Sequence, residues 1–493
     1  MDICILLASF LSAAVLVPQP TSLTETGGFA ETTNVTDRID PTLPDEGYRL
    51  SIAKDGVTVT SKDDAGRFYA RQTLRQLMTD EGRYPCVEIA DAPAFRWRGV
   101  MLDEGRHFFG KEEVKRILDL MAQHKYNVFH WHLTEDQGWR LDVPGYPELV
   151  RYGAVRPASP KHDATIKWID RKKDLYTMDL DDATYGPFYY TEADIREIVE
   201  YAAARHIDVV PEIEFPGHVC AALAAYPEFA CRPENLAGRH PRLVWGIEKE
   251  VLCLGNDRAL KFMEDVIDYV CRIFPSRFIH IGGDECPSEH WKDCPRCRAR
   301  RESEGLDDEK ALQPWITRRI VRQIESRGKR AIGWDEYLAG DVPLSAVGIA
   351  WRNPKKHKPG EVVTAGQAAA KGHDMVVALS PLAYLSRPQG LEDDPFQYSK
   401  TAALTLEEAY GFDPLADVPE SARPHILGGQ ACNWTEYTWN RDDLAWKMWP
   451  RACAIAEVLW CGGRKPGYGD FIRRMATHRR RLLRQGVNCA PLK

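Results

Sequence analysis

Apolar positions in this chain fall into short runs separated by polar loops, and the character of the runs changes along its length. The first run, Ile3 to Val17, reads ICILLASFLSAAVLV ahead of Pro18-Gln19-Pro20. About 15 residues is short of the ~20 needed to cross a bilayer and has the length of an export signal's apolar stretch, although Asp2 stands where such signals carry Lys or Arg. Residues 1–17 are therefore expected to be a signal peptide. Residues 18–46 are rich in Thr, Pro, Gly and Asp without an apolar period, which predicts a linker or loosely packed arm. From Tyr48 to Ser61 apolar and polar residues alternate around Asp55-Gly56, the pattern of a hairpin. Ala65 to Met78 then sets Phe68, Leu74 and Leu77 on one side of a helix. With a strand at Cys86 to Ile89, residues 47–95 form a small α/β unit.

Beyond Trp97 one theme repeats: a short apolar strand, a polar loop, an amphipathic helix. Eight strands are predicted, at Gly99–Leu102, Asn127–Leu133, Asp208–Ile213, Phe278–Ile281, Arg330–Gly333, Val347–Ala350, Met375–Leu379 and Ile426–Ala431. The helices between them follow helical spacing. Val114, Ile117, Leu118 and Met121 lie at i, i+3, i+4 and i+7, and Thr191 with Asp194 resembles a capping box. Such alternation predicts a parallel (β/α)8 barrel over residues 96–493. A doubly wound open sheet is the alternative, but no Gly-rich phosphate turn follows the first strand.

Charge narrows the class of partner. Lys and Arg total 65 against 72 Asp and Glu, a net charge of -7, so there is no basic excess to collect phosphates and no nucleic-acid ligand is expected. No segment after the first run is long and apolar enough to span a membrane, so a soluble product in the periplasm or outside the cell is expected once the signal is removed. Thirteen cysteines suit an oxidising compartment, but most sit in apolar runs where a buried thiol is the ordinary reading. Cys231 and Cys253 bracket a polar loop and could be bridged. Cys286, Cys294 and Cys297 lie close together, the last two as C-P-R-C, which resembles half a zinc site with His290 nearby and no evident fourth ligand. Thiol or disulfide is the preferred reading there, and metal the alternative.

In a barrel of this kind ligands sit at the carboxyl ends of the strands. Those ends supply Asp103, Glu104, Arg106 and His107; Glu135, Asp136 and Arg140; Glu212, Glu214 and His218; Asp284 and Glu285; Trp334, Asp335 and Glu336; Trp351; Tyr384; and Trp434 and Glu436. Carboxylates for proton transfer beside indole and phenol rings suit a sugar, which offers hydroxyls to the acids and C–H faces to the rings. No Ser nucleophile elbow, phosphate loop or H-E-x-x-H helix is present.

The segments RWRGVMLDEGRHFF (96–109), KYNVFHWHLTEDQGWRLD (125–142), VPEIEFPGH (210–218), FIHIGGDE (278–285), IGWDE (332–336) and GGQACNWTE (428–436) resemble glycoside hydrolase family 20, the β-N-acetylhexosaminidases. The resemblance runs from about Tyr48 to the last helix. It implies an exo-acting retaining hydrolase of terminal β-linked N-acetylhexosamine on glycans, with no cofactor and no metal in the site. In that mechanism the sugar's own acetamido oxygen attacks the anomeric carbon, giving an oxazolinium intermediate. The resemblance implies Glu285 as general acid and Asp284 as the group that holds the acetamido N–H. It also implies Arg106 and Glu436 on sugar hydroxyls, Tyr384 on the acetamido carbonyl, and Trp334, Trp351 and Trp434 along the acetamido slot and sugar face. His218 and Glu135 would stand behind Glu285. Mutual repulsion between the neighbouring carboxylates predicts that Glu285 stays protonated while Asp284 is ionised.

Three positions depart from the family pattern. Glu135-Asp136 replaces two Asp, the residue after Tyr384-Leu385 is Ser386 rather than Asp, and the companion domain looks abbreviated. Ser386 leaves room at an outer hydroxyl and Arg387 brings a cationic fork, which suggests tolerance of a 6-sulfate on the sugar. Two other readings stay open: a catalytically silent sugar-binding barrel, and a metal-dependent hydrolase using His130, His132 and His218.

Overall fold

The computed structural model describes residues 14–492, apart from 163, 171–174, 237, 359 and 397–400. Two cores organise it. The smaller lies under a five-stranded sheet made of β1 (Ser22–Phe29), β2 (Val35–Ile39), β3 (Tyr48–Ala53), β4 (Gly56–Ser61) and β5 (Pro85–Asp91), in the order β1-β5-β3-β4-β2. The hairpin read from the alternation is β3–β4, antiparallel with Tyr48 opposite Ser61 and Ala53 opposite Gly56. Its inward residues Leu50, Ile52, Val57 and Val59 pack on Tyr69, Leu74 and Leu77 of helix α1 (Asp64–Leu77), whose N-terminus is capped by the Asp63 carboxylate accepting from Gly66 N–H.

The expected linker over residues 18–46 is instead part of this sheet, so the companion domain is not abbreviated to residues 47–95. β1 pairs antiparallel with β5, and β2 pairs parallel with β4, so these segments form the two edges. Their side chains are mostly exposed, and backbone ladders rather than apolar burial hold them, which is why no period marks them in the sequence. The amino-terminal run also reaches into the fold. Leu16 and Val17 are buried, and Gln76 of α1 clasps Val17 with its amide, donating to the carbonyl at 2.8 Å and accepting from the N–H at 3.0 Å. Removal through residue 17 would strip these contacts. Residues 1–13, which hold the rest of the expected signal, lie outside the described residues.

All eight predicted barrel strands are present. They run Trp97–Asp103, Val128–His132, Asp208–Glu212, Phe278–His280, Arg330–Trp334, Val347–Ala350, Met375–Val377 and Ile426–Asn433, and each pairs in parallel with the next. The eighth closes on the first, Gly428 to Asn433 lying opposite Trp97 to Leu102. The capping box stands at Thr191 and Asp194 at the start of the helix Glu192–Ala203. Inside the barrel Met101, Val210, Ile332, Val347, Ile349 and Val376 fill the lower layers, which leaves the polar side chains at the carboxyl end. Among the described residues no helix is long and apolar enough to cross a membrane.

A buried electrostatic joint locks the small domain onto the barrel. Lys125 donates to Asp91 at 2.9 Å, and the same carboxylate accepts from Tyr48 Oη at 2.7 Å and, on its other oxygen, from Trp460 Nε1 at 2.9 Å. With both charges below 2% exposed, the pair survives because each remaining lone pair or proton finds a partner.

Candidate active site

The site is built from the strand ends upward, and its lowest layer is a ring of charges. Glu212, at the end of the third strand, lies 2.6 Å from His132 Nδ1, 2.8 Å from His130 Nε2 and 2.9 Å from His280 Nδ1, and it accepts from Trp334 Nε1 at 2.8 Å. Alternation explains the convergence: His130 and His132 sit on the same face of one strand, next to Glu212 on its parallel neighbour. Burial works against the Glu212 charge, but His280, His132 and His130 hold its carboxyl well below the usual range. His132 is likewise pushed up to about 10 against burial by Glu212 and Glu135.

The ring continues upward. His132 Nε2 lies 3.3 Å from Glu135, whose carboxylate also meets Arg106 at 3.0 Å and His218 Nδ1 at 2.9 Å. The longer side chain at position 135 therefore touches three cationic groups at once. Asp136 serves elsewhere, meeting His218 Nδ1 at 3.2 Å and accepting from Cys220 N–H at 3.0 Å. Burial opposes the charge on His218, yet Glu135, Asp136 and Glu285 hold it well above the ordinary imidazole range. His218 Nε2 then faces Glu285 at 3.6 Å and Asp284 at 3.8 Å.

The turn that carries these two carboxylates is constrained. At Gly282 (φ 64°) an added Cβ would fall 1.6 Å from Glu214 Oε2, so only glycine allows this approach. Glu285 itself is left-handed at φ 44°, a conformation that costs a non-glycine residue on the order of 1–3 kcal/mol. The environments differ accordingly: the Glu285 side chain is 35% exposed and that of Asp284 only 11%. Burial pushes the Asp284 carboxyl up to about 7, against the pull of the His218 charge and with the help of Glu285. At Asp284 burial is the larger influence and repulsion from Glu285 the smaller. Asp284 Oδ1 has no hydrogen-bond partner among the described residues, and neither has either oxygen of Glu214.

Above this floor is a cavity of about 210 Å³ whose lining includes Arg106, His218, Asp284, Glu285, Trp351, Tyr384, Trp434 and Glu436. Trp351 and Tyr384 are nearly parallel at 6.2 Å between centroids, and Trp434 stands 6.0 Å from Tyr384 with the Arg106 guanidinium 5.0 Å from its ring. Trp351 Nε1 donates to Glu336 at 2.9 Å. One expected lining residue lies a layer lower: Trp334, 1% exposed, packs beneath Trp434 at 5.6 Å. Glu135 stands behind the wall, on Arg106 and His218. Ser386 and Arg387 do line the cavity, but the Arg387 fork is engaged. It donates to the Ser380 carbonyl and hydroxyl at 2.8 and 3.0 Å and to the Ala402 carbonyl at 3.0 Å. Three of its five N–H donors are thus held by the protein, leaving one on each terminal nitrogen. Lys447, which no motif marks in the sequence, is a further basic residue on the wall beside Arg106, His218 and Arg387, with burial pulling it down to about 7.

His280 does not stand out in the sequence either, and Glu212, Glu214 and His132 stand out there without a role in the sugar site. Their signal lay in the alternating H-W-H and E-I-E patterns, which place every second side chain on the inner face. The three histidines of the metal-hydrolase reading do not converge on one point. His130 and His132 meet on Glu212, whereas His132 and His218 meet on Glu135, so carboxylates stand between them.

A closed parallel barrel with paired acids and an aromatic-walled cavity at its carboxyl end defines the site of a glycoside hydrolase. The chain belongs to glycosyl hydrolase family 20, the β-N-acetylhexosaminidase family. The family's catalytic domain matches residues 95–463 and its domain 2 matches residues 6–92. A β-hexosaminidase of Porphyromonas gingivalis is 39% identical over 91% of this chain, and the match spans 55% of that protein's length. One from Akkermansia muciniphila is 34% identical over 95% of this chain and 90% of its own. Among solved structures, a β-N-acetylhexosaminidase crystal structure has a TM-score of 0.83 at 32% identity, with 95% of each chain covered. A mutant Streptomyces plicatus β-hexosaminidase in complex with its product GlcNAc has a TM-score of 0.81 at 26% identity, covering 98% of both chains.

Proposed function

We propose that this chain is an exported, exo-acting, retaining β-N-acetylhexosaminidase that releases terminal β-linked GlcNAc or GalNAc from glycans by substrate-assisted catalysis. The observation that carries this reading is the unpaired, buried Asp284 Oδ1 beside the exposed Glu285. A desolvated acceptor is costly to leave without a donor, and an acetamido N–H would satisfy it. Glu285 would protonate the glycosidic oxygen as the C–O bond breaks, and the acetamido carbonyl oxygen, held by Tyr384, would close on the anomeric carbon. Positive charge then grows on the acetamido group and draws Asp284 toward its ionised form, so the contact is stronger in the transition state than in the ground state. Glu285, now a carboxylate, would take a proton from the water that opens the oxazolinium ring.

Trp351 and Trp434 supply the flat walls for the sugar, with Arg106 and Glu436 on its hydroxyls. The silent-barrel alternative would gain support from loss of either acid, and both are in place. Proton NMR of the first-formed product from an aryl β-GlcNAc glycoside tests the reading. A β-anomer is expected, and an α-anomer would overturn the mechanism.

A further inference from the structure

The loops after the third and fourth barrel strands carry a second cluster that sugar chemistry does not use. The sulfurs of Cys231, Cys253, Cys294 and Cys297 all lie within 4.8 Å of one another. Cys231 and Cys253 each stand 3.7 Å from Cys297, and Cys253 stands 3.8 Å from Cys294. Disulfide sulfurs are about 2.05 Å apart, so no pair here is bonded, and the expected bridge between Cys231 and Cys253 is replaced by a four-membered group. Four thiolates about 2.3 Å from one central zinc, at the corners of a tetrahedron, stand about 3.8 Å from each other. The measured spacings match that edge.

The backbone builds the cluster from two directions. Cys294 immediately precedes the helix Pro295–Ser303 and Cys297 lies in its first turn, so the C-P-R-C segment wraps two sulfurs about one point at a helix N-terminus, where thiolates are favoured. From the other loop, Ala230 pairs with Leu252 and Cys253 N–H donates to the Phe229 carbonyl at 2.8 Å, which sets Cys231 and Cys253 side by side. The two segments touch at Gly255, where an added Cβ would lie 2.1 Å from the Arg296 carbonyl carbon. Arg296, whose guanidinium is fixed on the Ala230 carbonyl at 3.0 Å, places a cation beside this group. Cys286 stands outside it, packed against Gly217, and His290 is engaged with Glu250 at 3.3 Å.

We propose that Cys231, Cys253, Cys294 and Cys297 bind one structural zinc ion, which clamps the loop bearing His218 to the loop bearing Asp284 and Glu285. Each thiol gives its proton to solvent as its sulfur binds, so affinity rises with pH. Four protein ligands close the tetrahedron and leave no position for water or substrate, so the ion holds the loops together rather than taking part in hydrolysis.

The test uses the full chain, purified without a histidine tag under reducing conditions after growth in zinc-containing medium. Elemental analysis should find one zinc per chain. Replacement by cobalt should give sulfur-to-metal charge-transfer bands together with the intense visible bands of a tetrahedral four-thiolate site. Cys294→Ser and Cys297→Ser should lose the zinc, and Cys286→Ser should keep a full equivalent. If the ligand variants do not fold, the wild-type stoichiometry and cobalt spectrum decide alone. Absence of stoichiometric metal after reconstitution with zinc, a cobalt spectrum without sulfur bands, or a mass showing two disulfides among these four residues would overturn the proposal.

Discussion

Glu212 and Asp284 are both buried carboxylates at the ends of neighbouring strands, and their surroundings are opposite. Three imidazoles and an indole surround Glu212, and its charge is held well below the ordinary range. Asp284 faces one distant imidazole, keeps an unpaired oxygen and is pushed up to about 7. Glu212 is engaged by protein groups alone and fixes geometry. Asp284 is not, and on the proposed reading the substrate's acetamido group engages it.

The largest effect expected from disturbing this division is at Glu285. Glu285→Gln should cut turnover of substrates with poor leaving groups by roughly 10²- to 10⁴-fold, and far less on an activated aryl glycoside whose oxygen needs no proton. Equal losses on both would remove Glu285 from the acid role.

Removing the centre of the lowest layer should act on the fold instead. Glu212→Ala leaves buried histidines without their anion and should lower stability by about 3–5 kcal/mol in urea titrations at pH 7. His132 adds a pH signature. Its pKa is raised from 6.5 to about 10 in the fold, so its contribution is fully present below about 6.5 and is lost as pH rises through 10. The gap between wild type and variant should therefore narrow on the alkaline side.

Asp284 gives the opposite sign. Its pKa is raised from 3.8 to about 7, so the folded state is favoured while the group is protonated and loses that advantage as pH rises through 7. Asp284→Asn should be more stable than wild type at pH 8, by at most about 4 kcal/mol, with the gain fading toward pH 4. A variant less stable than wild type at both pH values would mean that Asp284 is a partnered group like Glu212.

How much of this could be read from the chain depends on what burial leaves in the sequence. The eight barrel strands were legible because their apolar runs face the core, and both acids were legible from the motif that ends the fourth strand. β1 and β2 were not, because edge strands such as Ser22–Phe29 are held by backbone pairing and present polar side chains to solvent. The burial that raises the Asp284 carboxyl was not legible for a related reason: chain adjacency to Glu285 is visible in a sequence, whereas the depth at which each side chain lies is not. The four-cysteine group was only half visible, since C-P-R-C marks two ligands and the other two arrive on a loop far back in the chain.

The central claim is that Asp284 is left unpaired for the sugar's acetamido group, and inhibition by an N-acetylglucosamine-derived thiazoline tests it most directly. This compound mimics the oxazolinium ring, and its binding to wild type and to Asp284→Asn can be compared by calorimetry with binding of plain GlcNAc. The account predicts that the substitution weakens the thiazoline at least tenfold, about 1.4 kcal/mol, while GlcNAc changes much less. Equal weakening of both ligands, or no weakening of either, would contradict it.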